Sequence, residues 1–138
     1  MSTPHVEQVG GNHYAGGYQH WDYCDDADVP HLESAASKYI ARWYKKNGIQ
    51  DLQKSISYID KRLASNYLDL DRPPMLERCR GYGHLLLKYY QEAEILPWEQ
   101  AVSNLILMWE DYSDLEYAKN LILAQIKHEE TKQGIKHE

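Results

Sequence analysis

A chain of 138 residues with a formal charge of −6 suits one domain around one core, and its acidic balance argues against a binder of long nucleic acid. It has no Phe, twelve Tyr and four Trp. Its aromatic core therefore brings hydroxyl and indole donors, which need partners or face a ligand or a subunit. Cys24 and Cys79 form no Cys-x-x-Cys pair, and no apolar run has the length of a signal peptide or a transmembrane helix. A cytoplasmic protein with no membrane partner is the expectation.

Residues 1–29 show no sustained period and read as a mostly irregular arm, in which Gly10-Gly11 and Gly16-Gly17 bracket Asn12-His13-Tyr14. Residues 30–138 read as a helical domain. A first helix starts near Asp28, with Pro30 in its first turn, and stops at Asn47-Gly48. A second runs from about Gln50 to Asn66, with Leu52, Ile56, Ile59 and Leu63 as its buried stripe. Asp71-Arg-Pro-Pro74 opens a third, to about residue 93, in which Gly81 and Gly83 predict a kink or a close backbone approach. Pro97 opens a fourth, through about Asp111. Ser113-Asp-Leu-Glu116 reads as a capping box for a fifth, which ends near Lys132 and turns Leu115, Ala118, Ile122 and Ile126 inward. No strand pattern appears. The predicted fold is all-α, a helical bundle of about five helices behind an N-terminal arm.

Charge is unevenly spread. Eleven of the fifteen Lys and Arg residues lie between Lys38 and Lys88, against five acidic ones. A positive middle in an acidic chain suits a compact anion. Within the first helix, Lys38, Arg42, Lys45 and Lys46 are spaced i, i+4, i+7, i+8 and share one face, beside an apolar face of Ala36, Tyr39, Ile40 and Trp43. Four cations so placed repel one another, so either an anion sits among them or the face is simply solvated. Repulsion alone predicts that removing Arg42 leaves the fold intact or stabilises it.

Gly10-Gly-Asn-His-Tyr14, Gln19-His-Trp21, Lys38-Tyr-Ile-Ala-Arg42, Lys45-Lys-Asn-Gly-Ile-Gln-Asp-Leu-Gln-Lys54 and Tyr58 follow in order. This succession resembles the phage-associated domain of unknown function 3310, also called SaV-like, over roughly residues 9–63. Ser55 stands where that family usually has Ala, and Glu33 to Ser37 diverges from its small-residue run. One branch of the family is a nucleoside-monophosphate kinase of T7-like podophages without a Walker phosphate loop, and no Gly-x-x-x-x-Gly-Lys-[Ser/Thr] occurs here either.

The resemblance implies a nucleotide as partner and phosphoryl transfer as the activity, with a nucleoside triphosphate donor and Mg²⁺ as the implied co-reactants. Such chemistry asks a protein chiefly to position phosphates and neutralise their charge. Lys38, Arg42, Lys45, Lys46 and Lys54 are the candidate phosphate ligands, and His13 and Tyr14 on the glycine-flanked loop would close over the ligand. Lys38, Arg42 and Asp51 are the candidate catalytic residues. Asp51 would orient Arg42 or Lys54, help hold Mg²⁺, or merely stabilise a helix N-terminus. No protein-held metal is expected, because His5, His13, His20 and His31 match no ligand spacing. Glu110, Asp111 and Asp114 invite comparison with all-α pyrophosphohydrolases but lack the Glu-x-x-Glu partner cluster. Two other readings stand beside the kinase: a module that captures a nucleotide unchanged, and a helical homo-oligomer built on Tyr and Trp contacts.

Overall fold

A computed structural model describes residues 17–65 and 80–134, so His13, Tyr14 and residues 74–79 of the predicted third helix lie outside the described residues. Six α-helices and no strand are found among the described residues: α1 (His20–Asp26), α2 (His31–Arg42), α3 (Ile49–Ala64), α4 (Gly83–Glu92), α5 (Pro97–Leu107) and α6 (Tyr112–Lys132). A 3₁₀ turn, Arg80–Tyr82, leads into α4. None of these helices is long and apolar enough to cross a membrane.

The α2–α3 hairpin is the frame on which the rest is hung. Gly48 joins the two helices at φ +58° and ψ −126°, a region open to glycine, and its amide closes α2 through the Trp43 carbonyl at 2.8 Å. Polar pairs then cross the hairpin at three levels. At the turn, Arg42 meets Asp51; midway, the Ser55 hydroxyl donates to the Ala36 carbonyl at 2.9 Å; at the open end, Arg62 grips Glu33 with Nε and a terminal nitrogen at 2.7 and 3.0 Å. Ser55 uses its hydroxyl here in full burial, which an Ala could not do.

Ala36, Ile40, Trp43, Leu52 and Ile59 fill the interior of the hairpin, while α5 packs on α2 and α6 packs on α3 and α5. The predicted stripe of α6 is entirely buried, at Leu115, Ala118, Ile122 and Ile126. The indole donors find carboxylates inside this core. Trp43 Nε1 donates to Glu99 and Trp109 Nε1 donates to Glu33, both at 2.7 Å. A core without Phe thus carries its own acceptors, since a buried N–H without one would cost about 1–3 kcal/mol.

The structure corrects the sequence reading at several points. The arm is not irregular throughout: residues 20–26 form α1. Its start carries a reciprocal pairing between Gln19 and Asp22, and Tyr23 is fully buried in a stack on Tyr89 of α4. Seven residues are too short to display a period, and an aromatic anchor in place of a stripe holds them. The count is therefore six rather than about five. The capping box of α6 begins at Asp111, not Ser113, with Asp114 as its reciprocal acceptor. The glycines Gly81 and Gly83 fall in and after the 3₁₀ turn, so α4 starts at Gly83 instead of running through them.

A candidate anion-binding cleft

Helix α2 ends in two loose turns, in which the amides of Lys45 and Lys46 both reach back to the Arg42 carbonyl at 3.0 and 3.1 Å. The helical phase is therefore kept past Arg42, and all four predicted cations stay on one side. Lys38, Arg42, Lys45 and Lys46 line one wall of a cleft of about 760 Å³. The facing wall is α1, which contributes His20, Trp21, Cys24 and Asp25, and the end of α4 closes the cleft with Tyr89, Ala93 and Ile95. The volume lies within the range of sites for small molecules and cofactors.

Arg42 is the best-held of the cations. Its Nε forms an ion pair with Asp51 Oδ2 at 3.4 Å without hydrogen-bond geometry, and its guanidinium covers the Tyr39 ring at 4.8 Å. Asp51 is completely buried and also faces the Asn47 amide and side chain at 3.3 and 3.4 Å. It therefore positions Arg42 from behind and is closed off from the cleft. Lys38 leans on the same Tyr39 ring at 5.5 Å and Lys45 on Tyr44 at 5.5 Å. These ring contacts offset part of the mutual repulsion. Among the described residues no carboxylate pairs with Lys38, Lys45 or Lys46. Lys54 departs from the group: it approaches Tyr39 at 5.3 Å from α3 and does not line the cleft. Tyr39 itself is braced by a stack on Tyr58, with centroids 6.1 Å apart and planes 12° from parallel.

No family model, curated protein or solved structure matches this chain.

The opposite wall holds residues that sequence reasoning did not assign to the site. Trp21 is 54 % exposed and sits at i, i+4 from Asp25, so an indole face and a carboxylate share the cleft side of α1. His20 Nε2 lies 2.9 Å from the Ser37 hydroxyl, which itself donates to the Ser34 carbonyl. The hydroxyl proton is thereby committed, so His20 donates from Nε2. Burial and then the nearby Lys38 charge push the His20 imidazole down to about 4, so it is neutral at pH 7. Cys24 Sγ is 3.5 and 3.8 Å from the two ring nitrogens. Such near-equal distances set the sulfur over the ring, not along a nitrogen lone pair, so the two do not form a nucleophile and base. Beside the Gln19-His-Trp21 piece of the resemblance, the sequence offered the Gln19-x-x-Asp22 spacing, a helix start for which no apolar run follows. No three His, Cys, Asp or Glu side chains converge as a metal site among the described residues.

Proposed function

We propose that this chain binds a nucleotide in the cleft between α1 and α2, with the phosphates on Lys38, Arg42, Lys45 and Lys46 and the base against Trp21. One observation carries the reading: four cations, three of them without a carboxylate partner among the described residues, converge in a cleft of nucleotide size opposite an exposed indole. Four cations against the single lining carboxylate of Asp25 leave a net positive concave site, which favours a multivalent anion, and an indole face adds ~1–3 kcal/mol for a stacked base. The guanidinium of Arg42, oriented by Asp51, is suited to two parallel bonds with phosphate oxygens, while the lysines act as point charges.

The resemblance to the SaV-like phage domain extends this reading to a nucleoside-monophosphate kinase working in a host cytoplasm. In that activity the cations would neutralise charge spread over the transferred phosphoryl group. A triphosphate with Mg²⁺ would supply the group, and Asp51, being buried, would serve as a positioning residue. His13 and Tyr14 complete the reading as groups on the preceding segment. Assembly as a homo-oligomer belongs to the same proposal, supported by the exposed apolar side chains Leu96 and Leu123, 45 % accessible each.

A thermal-shift panel of nucleoside mono-, tri- and cyclic phosphates tests it. A nucleotide at 100 times its dissociation constant should add about 2.7 kcal/mol, a shift of several degrees. Incubating a triphosphate with each monophosphate and separating the products then distinguishes turnover from capture. If no nucleotide raises the melting temperature, the reading fails. Light scattering that returns the mass of one chain, 16.2 kDa, overturns the oligomer.

A further inference from the structure

A second concavity, away from the cationic cleft, lies where α4, α5 and the start of α6 meet. It encloses about 880 Å³, and its floor is apolar: Leu86, Leu87, Leu105, Met108, Tyr117 and Leu121. Two of these are unusually bare for such residues, Leu87 at 61 % and Tyr117 at 58 % exposure. Its far end, at the α5–α6 link, carries Glu110, Asp111 and Asp114. No Lys or Arg among the described residues pairs with any of the three. Asp111 and Asp114 are held in place by capping, Asp111 on the Ser113 amide at 2.8 Å and Asp114 on the Glu110 amide at 2.8 Å. The Ser113 hydroxyl and amide hold the Asp111 carboxyl below the usual carboxylate range, which favours its charged form.

We propose that this groove is a docking site for a basic amphipathic helix of a partner protein, its apolar face laid on Leu87 and Tyr117 and its cations on Glu110, Asp111 and Asp114. Three features select that occupant. Three helices frame an apolar trough open to solvent, the arrangement in which a partner helix lays down anchors at i, i+3, i+4 and i+7. Carboxylates close one end, and a complementary occupant brings Lys or Arg there. A second copy of this chain, packed about a two-fold axis on the same face, would offer those carboxylates no partner, since no Lys or Arg lines the groove.

The test uses the full chain and a fluorescein-labelled peptide of roughly 14 residues, leucine at i, i+3, i+4 and i+7 and lysine elsewhere, read by fluorescence anisotropy. The control peptide carries glutamate at every lysine position. The lysine peptide should bind and the glutamate peptide should not. Leu87→Glu and Glu110→Lys, both at exposed positions that leave the core intact, should each weaken binding about tenfold. Raising the salt from about 50 to 500 mM should weaken it further. Equal binding of the two peptides overturns the proposal, as does parent-like affinity in both variants. Light scattering is the third readout. A fall in the mass of Leu87→Glu relative to the parent would show the groove to be a face between copies, and would overturn the partner helix. Both variants should keep the nucleotide-induced thermal shift, so the two sites fail or stand separately.

Discussion

Replacing Arg42 by alanine separates a phosphate-binding arginine from a solvated one. If the four cations merely repelled each other, removing one would leave the melting temperature unchanged or raise it. The structure predicts the opposite, because Asp51 is fully buried and Arg42 is its cation at 3.4 Å. Breaking a fully buried pair costs about 3–5 kcal/mol, and an exposed pair less than about 1. Arg42 keeps 29 % of its side chain accessible, and the Asn47 contacts to Asp51 survive the substitution. The loss should therefore fall at about 1–2 kcal/mol, or roughly 3–8 °C in a domain of this size. Nucleotide affinity should fall ~10–150-fold, the value of a charge-assisted phosphate contact. Arg42→Lys should recover most of the stability, since a cation again faces Asp51, yet little of the affinity, since the planar fork is gone. Differential scanning fluorimetry with and without ligand reads both quantities. A melting temperature at or above the parent's, with affinity unchanged, would refute the reasoning.

Three further outcomes are expected. Glu33→Ala leaves Arg62 buried without its carboxylate and removes the carboxylate that Trp109 Nε1 donates to, so it should cost about 3–5 kcal/mol in urea unfolding; a loss under about 1 would refute a stabilising role for the pair. His20 is held neutral, with its imidazole at about 4 against an ordinary 6.5, so the unfolded chain binds the extra proton. That contribution is complete above pH 6.5 and lost as pH falls towards 4, about 2 kcal/mol for a partly solvent-facing ring; His20→Gln should flatten the difference in melting temperature between pH 7 and pH 4.5. Glu94, just past the end of α4, has φ +56°, a conformation that glycine adopts without strain, so Glu94→Gly should raise stability by about 0.5–1 kcal/mol; a decrease would show that its side chain contributes more than the backbone costs.

Periodic features were legible in the sequence, and features that depend on remote partners were not. The α6 stripe and the cation face of α2 both follow from helical phase alone, and the structure places them as read. Tyr39 was assigned to the apolar face and is half-buried, because it serves as the platform for the cations. Lys54 shares the charge of the α2 residues, but its helix presents it to that ring and not to the cleft. Carboxylates in helices usually face solvent, and no periodicity marks Glu33, Asp51 or Glu99 as exceptions. Each is buried, and the donors that make this tolerable for Glu33 and Glu99 sit 29, 76 and 56 residues away. Helix α1 was missed for a related reason: its stability comes from Tyr23 on Tyr89, a contact that no local pattern announces.

The three polar crossings of the α2–α3 hairpin also act as a ruler. Two helices packed through apolar side chains alone can trade one set of contacts for another by sliding a single turn, about 5.4 Å. Here such a slide would part Arg62 from Glu33, Ser55 from Ala36 and Arg42 from Asp51 together, since all three are cut to one alignment. The guanidinium in the cleft is thus held in register by a pair at the opposite end of the hairpin. A change at Glu33, far from any ligand, would blur the aim of Arg42 without touching the cleft.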